Sequence, residues 1–120
     1  MRSWRRTTEE GFNSLMVILE VDAPVVKVLD VITSAYHRKA FDLPFESEIF
    51  KQRIDDYTWL GVLKITRVAI VASRYFANIY HYTTFDDGMV QITVFSDDRE
   101  DLAPQDDSSV VKGFVPICGW

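Results

Sequence analysis

Cysteine occurs once in the 120 residues, at Cys118, and histidine twice, at His37 and His81. A single cysteine excludes an intramolecular disulfide and any zinc site built from several thiolates, so Cys118 reads as a small hydrophobe. Neither histidine lies in an HExxH pattern, and both read as surface or core-satisfied side chains. GxSxG, GxGxxG and a phosphate loop are absent, which removes the common hydrolase, dinucleotide and nucleotide signatures. Positive charge is in deficit, with 13 Lys and Arg against 18 Asp and Glu and a net charge of −5. That balance argues against nucleic acid, whose phosphates select clustered basic residues. No apolar run approaches the ~20 residues that cross a bilayer, and MRSWRRTTEE lacks the apolar stretch of a signal peptide. These absences imply a soluble, cytoplasmic chain with no metal and no cofactor, and not an enzyme.

What is present suits one folded domain: 48% hydrophobic and 13% aromatic residues. Residues 1–13 form a polar segment whose Trp4-Arg5-Arg6 trio is basic. It reads either as an unstructured terminus or as a transient contact for an anionic membrane surface. The run SLMVILEV at 14–21 predicts a buried strand. From Pro24 the spacing of Val25, Val28, Leu29 and Ile32 predicts a helix to Ser34, with Asp22 as its N-cap. The stretch 35–47 reads as a helical turn or loop, and 48–54 and 57–65 as strands joined at Asp55-Asp56. VAIVA at 68–72 is ambiguous. Asp86-Asp87-Gly88 separates two aromatic and β-branched runs, a hairpin signal pairing 73–85 with 89–96. Six Asp and Glu in 97–109 mark a solvated loop, after which 110–117 reads as a final, unpaired edge strand.

Four carboxylate pairs, Asp55-Asp56, Asp86-Asp87, Asp97-Asp98 and Asp106-Asp107, lie at turns, where Asp is favoured for backbone reasons, and carry no catalysis. Both faces of the 73–96 hairpin are apolar, whereas a sheet wet on one face alternates. A cavity lined by one face, a dimer face, or strand preference for aromatics each accounts for this. An arginine within such a segment, Arg74, needs a carboxylate or an anionic ligand group as partner if buried.

The order of several short motifs resembles the StAR-related lipid-transfer (START) domain family over residues 14–120. These are Val21-Asp22-Ala23-Pro24 before the helix, Arg38-Lys39-Ala40-Phe41-Asp42, Ile54-Asp55-Asp56-Tyr57-Thr58, Ser73-Arg74-Tyr75-Phe76, Val111-Lys112-Gly113 and Gly119-Trp120. The resemblance implies an α+β helix-grip fold, a curved antiparallel sheet with short helices around a tunnel for one lipid. It also implies last strands and a long C-terminal helix beyond Trp120, so the START-like domain reads as incomplete, with an open groove. The implied activity is binding, and transfer, of a sterol, phospholipid or ceramide without chemistry. Arg74 would anchor the polar group, with Glu46, Glu48 or the ligand as its counter-charge, and Phe76, Tyr80, Ile92, Val94 and Phe95 would line the cavity. The alternative is a protein-interaction module without cargo, whose exposed sheet would be covered by a second copy or another protein.

Overall fold

The apolar run near the N-terminus does form a strand, β2 (Asn13–Ile18), yet every one of its residues is exposed. The computed structural model describes residues 1–104 and 109–120, and divides into two units, Met1–Ile32 and Thr33–Trp120. In the first unit β2 pairs antiparallel with β1 (Arg2–Thr7). The segment expected to be unstructured is therefore a strand, and the strand expected to be buried is not. A two-stranded sheet has no second layer to bury either face. Between the strands Gly11, at φ 84°, closes the turn, where its amide donates to the Thr8 carbonyl at 3.0 Å. Helix α1 (Val25–Thr33) runs almost as the periodicity predicts. The Pro24 carbonyl accepts from the Lys27 and Val28 amides, so Pro24 stands at the helix entry and Asp22 lies two residues too early to cap it.

The second unit begins with α2 (Ala35–Phe41), a true helix where the sequence left helix or loop open. Its cap explains it: the Ser34 hydroxyl accepts from the His37 amide at 3.4 Å. Strands β3 (Phe45–Arg53), β4 (Thr58–Ile65), β5 (Arg74–Thr84) and β6 (Val90–Ser96) follow as an antiparallel meander. β3 starts three residues before the expected Glu48. A register shift at Phe45/Ser47 breaks the alternation over these first residues, and a second lies at Phe50/Gln52. Asp55 Oδ1 accepts from the Tyr57 amide at 2.8 Å and makes the β3–β4 turn. The ambiguous VAIVA is a tight turn, with a Val68–Val71 bridge and Ala69 at φ 51°. The β5–β6 hairpin turns at Asp86–Gly88 as expected, with Gly88 at φ 85° and Asp87 Oδ1 accepting from the Met89 amide at 2.9 Å.

The C-terminal stretch departs most from expectation. In place of one unpaired strand at 110–117 it makes two short paired ones. β7 (Val111–Lys112) lies parallel to β5 at Arg74 and Tyr75, alongside the part of β5 that extends past the end of β6. The chain then passes to the free edge of β6, where β8 (Cys118–Gly119) pairs with Thr93 and Val94. Across this passage Ser96 and Val115 bond twice, amide to carbonyl at 2.9 Å and amide to the Ser96 hydroxyl at 2.7 Å. The expected 97–109 loop carries a 3-10 turn at Glu100–Leu102, and Asp106-Asp107 lies outside the described residues.

Among the described residues the second unit thus carries a six-stranded, mainly antiparallel sheet, and the chain is α+β with two α-helices. Direct cross-strand partners share a face. Leu60, Val62, Tyr75 and Ala77 are buried on one face, and Phe45, Tyr80, Ile92 and Val94 on the other. Burial on both sides accounts for the missing polar alternation in β5. Among the described residues no helix is long and apolar enough to cross a membrane.

Candidate functional site

Register places Arg74, Phe76, Asn78, Tyr80 and Tyr82 of β5 on one face with Ile92, Val94 and Ser96 of β6 and Trp59, Gly61 and Leu63 of β4. Glu48 and Phe50 of β3 join them opposite Leu63 and Gly61. Four of the five expected cavity-lining residues, Phe76, Tyr80, Ile92 and Val94, therefore share this face with Arg74. Phe95 does not: it lies opposite Ile79 on the other face, 40% exposed. Adjacent residues of one strand point to opposite faces, so Val94 and Phe95 cannot line one cavity together.

Arg74 shares the face but sits exposed at the start of β5, not within the apolar part. Its expected partners are committed elsewhere: Glu46 to Lys64 at 3.1 Å, and Glu48 to Arg38 at 3.4 Å. The arginine that is largely withdrawn from water is Arg38, on α2. Its guanidinium donates to Asp42 Oδ2 at 2.9 Å and to Glu48 Oε2 at 3.4 Å, and lies 4.7 Å from the centroid of the Phe45 ring. The Arg38 and Glu48 side chains are 16% and 18% exposed. Such a pair is held in place by two carboxylates and an aromatic face, each of which limits the penalty of taking the cation out of water.

Tyr80 and Asn78 extend this polar set into the sheet. Asn78 is 2% exposed, donates from Nδ2 to the Tyr80 hydroxyl at 3.4 Å and accepts at Oδ1 from Ser96 at 3.3 Å. Burial pushes the Tyr80 phenol well above its ordinary value, and the nearby Glu48 carboxylate pushes it further, so the hydroxyl stays protonated and neutral. The second Glu48 oxygen, Oε1, is buried and makes no hydrogen bond of ordinary geometry. Room for the Tyr80 ring comes from Gly61, where a Cβ would stand 3.4 Å from Tyr80 Cε2. Trp59 stacks on Tyr80 with centroids 5.3 Å apart and planes 7° from parallel, and meets Tyr82 at 4.7 Å.

At the β3–β4 turn end of the sheet lies a concavity of about 310 Å³ lined by Phe50, Arg53, Asp55, Asp56, Thr58 and Trp59. Arg53 is neutralised there by Asp56 at 2.7 Å, and Asp55 is held below the usual carboxylate range by the Tyr57 amide first and Thr58 second. A second concavity, about 350 Å³, lies between the other face of β3–β4 and Asp101–Pro104. Neither is lined by the six residues singled out in the sequence. His81 is satisfied by Thr58, Nδ1 to Oγ1 at 2.8 Å. Among the described residues no group of three or more His, Cys, Asp or Glu is arranged to hold a metal ion.

Sequence reading missed Arg38, although the signal was present. Arg38 stands four residues before Asp42 within RKAFD, a spacing that brings the two together on a helix. Compared with known proteins, the chain matches no family model and no curated protein.

Proposed function

We propose that the Thr33–Trp120 unit binds one lipid-class ligand, a sterol, phospholipid or ceramide, against the Trp59–Tyr80 face, without chemistry on it. The observation that carries this reading is a small, convergent polar set, Arg38, Glu48, Tyr80 and Asn78, set among apolar side chains on a face whose Trp59 and Phe50 also line the concavity of about 310 Å³. Ligand sites have this make-up: apolar walls supply affinity at about 25 cal/mol per Å² buried, and a few polar groups fix orientation. The concavity is at the small end of the ~300–1,000 Å³ range of such sites and suits part of a lipid, its remainder lying along Trp59 and Phe50. Resemblance to START domains supports the same reading and gives the fold its helix-grip interpretation. In this proposal Arg38 takes the anchoring role first expected of Arg74.

A second reading, a protein-interaction module without cargo, is favoured by the close packing of Tyr80, Ile92 and Val94, all under a tenth exposed. Titration with a fluorescent sterol or fatty-acyl probe separates the two. Cargo binding requires saturable uptake, weakened about tenfold or more when Arg38→Met removes a charge-assisted bond, and unchanged by Phe95→Ser on the opposite face. Absence of saturable uptake, or equal sensitivity to both substitutions, refutes it.

A further inference from the structure

The first unit holds a surface that ligand binding does not use. β1 and β2 pair with Trp4 opposite Met16, Arg2 opposite Ile18 and Arg6 opposite Ser14, so these six side chains share one face of the hairpin. Trp4, Met16 and Ile18 are 46%, 54% and 52% exposed, and all of Arg2–Thr7 is exposed. No acidic residue belongs to this face; Glu9 and Glu10 lie in the turn beyond Thr7. Arg5 belongs to the opposite face, where it donates to Asn13 Oδ1 at 3.0 Å.

An exposed tryptophan beside two aliphatic side chains, flanked by two cations in a chain of net charge −5, has a specific physical complement. Indole rings favour the boundary between water and acyl chains, and each arginine near an anionic lipid surface gains from its negative potential. Soluble partners match these features less well: an acidic protein would satisfy the arginines but not the flat apolar strip between them. We propose that this face of the β1–β2 hairpin docks on anionic lipid surfaces, with Trp4, Met16 and Ile18 in the headgroup boundary and Arg2 and Arg6 on lipid phosphates. Docking goes beyond ligand binding and stands whether or not the second unit carries cargo.

The test is co-sedimentation of the full chain with phosphatidylcholine vesicles, and with the same vesicles containing about 30% phosphatidylserine. Binding is expected to the anionic vesicles only, to fall with salt, and to weaken about tenfold in Arg2→Gln/Arg6→Gln. Arg5→Gln and Arg6→Gln remove the same charge from neighbouring positions on opposite faces, and the Arg6 variant is expected to lose more. Membrane contact should also shift tryptophan emission to the blue, and Trp4→Phe should abolish the shift while leaving Trp59 and Trp120 in place. Equal binding to neutral vesicles, equal losses from Arg5→Gln and Arg6→Gln, an emission shift that survives Trp4→Phe, or self-association of the chain without vesicle binding would each overturn the proposal.

Discussion

Arg38→Met tests the centre of the candidate site, because methionine keeps most of the apolar stem and removes only the cation. The substitution takes from Glu48 its 3.4 Å partner and from Asp42 its 2.9 Å partner. Removing one member of a fully buried pair costs about 3–5 kcal/mol, chiefly because the other charge is left uncompensated. Roughly a sixth of each of the Arg38 and Glu48 side chains still meets water and Asp42 is 28% exposed, so hydration recovers part of that cost. We expect a loss of about 2 kcal/mol, which for a domain of this size lowers Tm by roughly 6–10 °C. Glu48→Gln should cost only about 1 kcal/mol, since Arg38 retains Asp42. If the two side chains are coupled as their geometry implies, the double variant should be more stable than the sum of the single losses by about 1 kcal/mol. Urea denaturation followed by tryptophan fluorescence measures all three variants. A loss under about 0.5 kcal/mol for Arg38→Met, or strictly additive losses in the double variant, refutes the reasoning.

Three further outcomes follow from the same geometry. The folded Tyr80 phenol titrates above its unfolded value near 10, so stability present below about pH 10 is lost as pH rises past it. Tyr80→Phe should flatten that alkaline loss by up to about 1.4 kcal/mol per pH unit, with Tyr82, also raised by burial, keeping a residual slope; parallel curves would contradict this. Asn78→Ala takes from the Ser96 hydroxyl its acceptor and from the Tyr80 hydroxyl a donor, and should cost about 1–3 kcal/mol in urea denaturation, whereas a neutral result would mean that water replaces the amide. Gly113→Ala would drive a methyl group into the Phe76 ring, and should destabilise by about 1–3 kcal/mol unless the ring swings clear; a Tm scan decides.

Local chemistry was legible and non-local pairing was not. The β5–β6 hairpin could be read because Asp86, Asp87 and Gly88 specify their own turn, and α1 because its apolar spacing is its own signal. β3 escaped in its first residues because a register shift at Phe45/Ser47 breaks the alternation there. The division of Val111–Gly119 between β5 and β6 was invisible, since it depends on β6 ending two pairs short of Phe76 and leaving the start of β5 open. At the site, the lining implied by the resemblance joined Phe76, Tyr80, Ile92 and Val94, which do share a face, to Phe95, which strand alternation places on the other. Arg74 was singled out for its apolar neighbours in sequence, but its place at the strand end leaves it in water, while Arg38 is withdrawn from water by Glu48, ten residues away. A composition that reads as a buried strand, as in β2, becomes exposed when the strand belongs to a two-stranded sheet.

Ligand binding by the Trp59–Tyr80 face is tested most directly by native mass spectrometry of the 120-residue chain, incubated with a mixed lipid extract and repurified. A one-to-one lipid adduct on the folded chain, reduced in Arg38→Met and retained in both Phe95→Ser and Arg2→Gln/Arg6→Gln, is the expected result. Chain that emerges free of lipid, or that carries lipid only while the hairpin arginines are intact, would contradict a cargo site on this face.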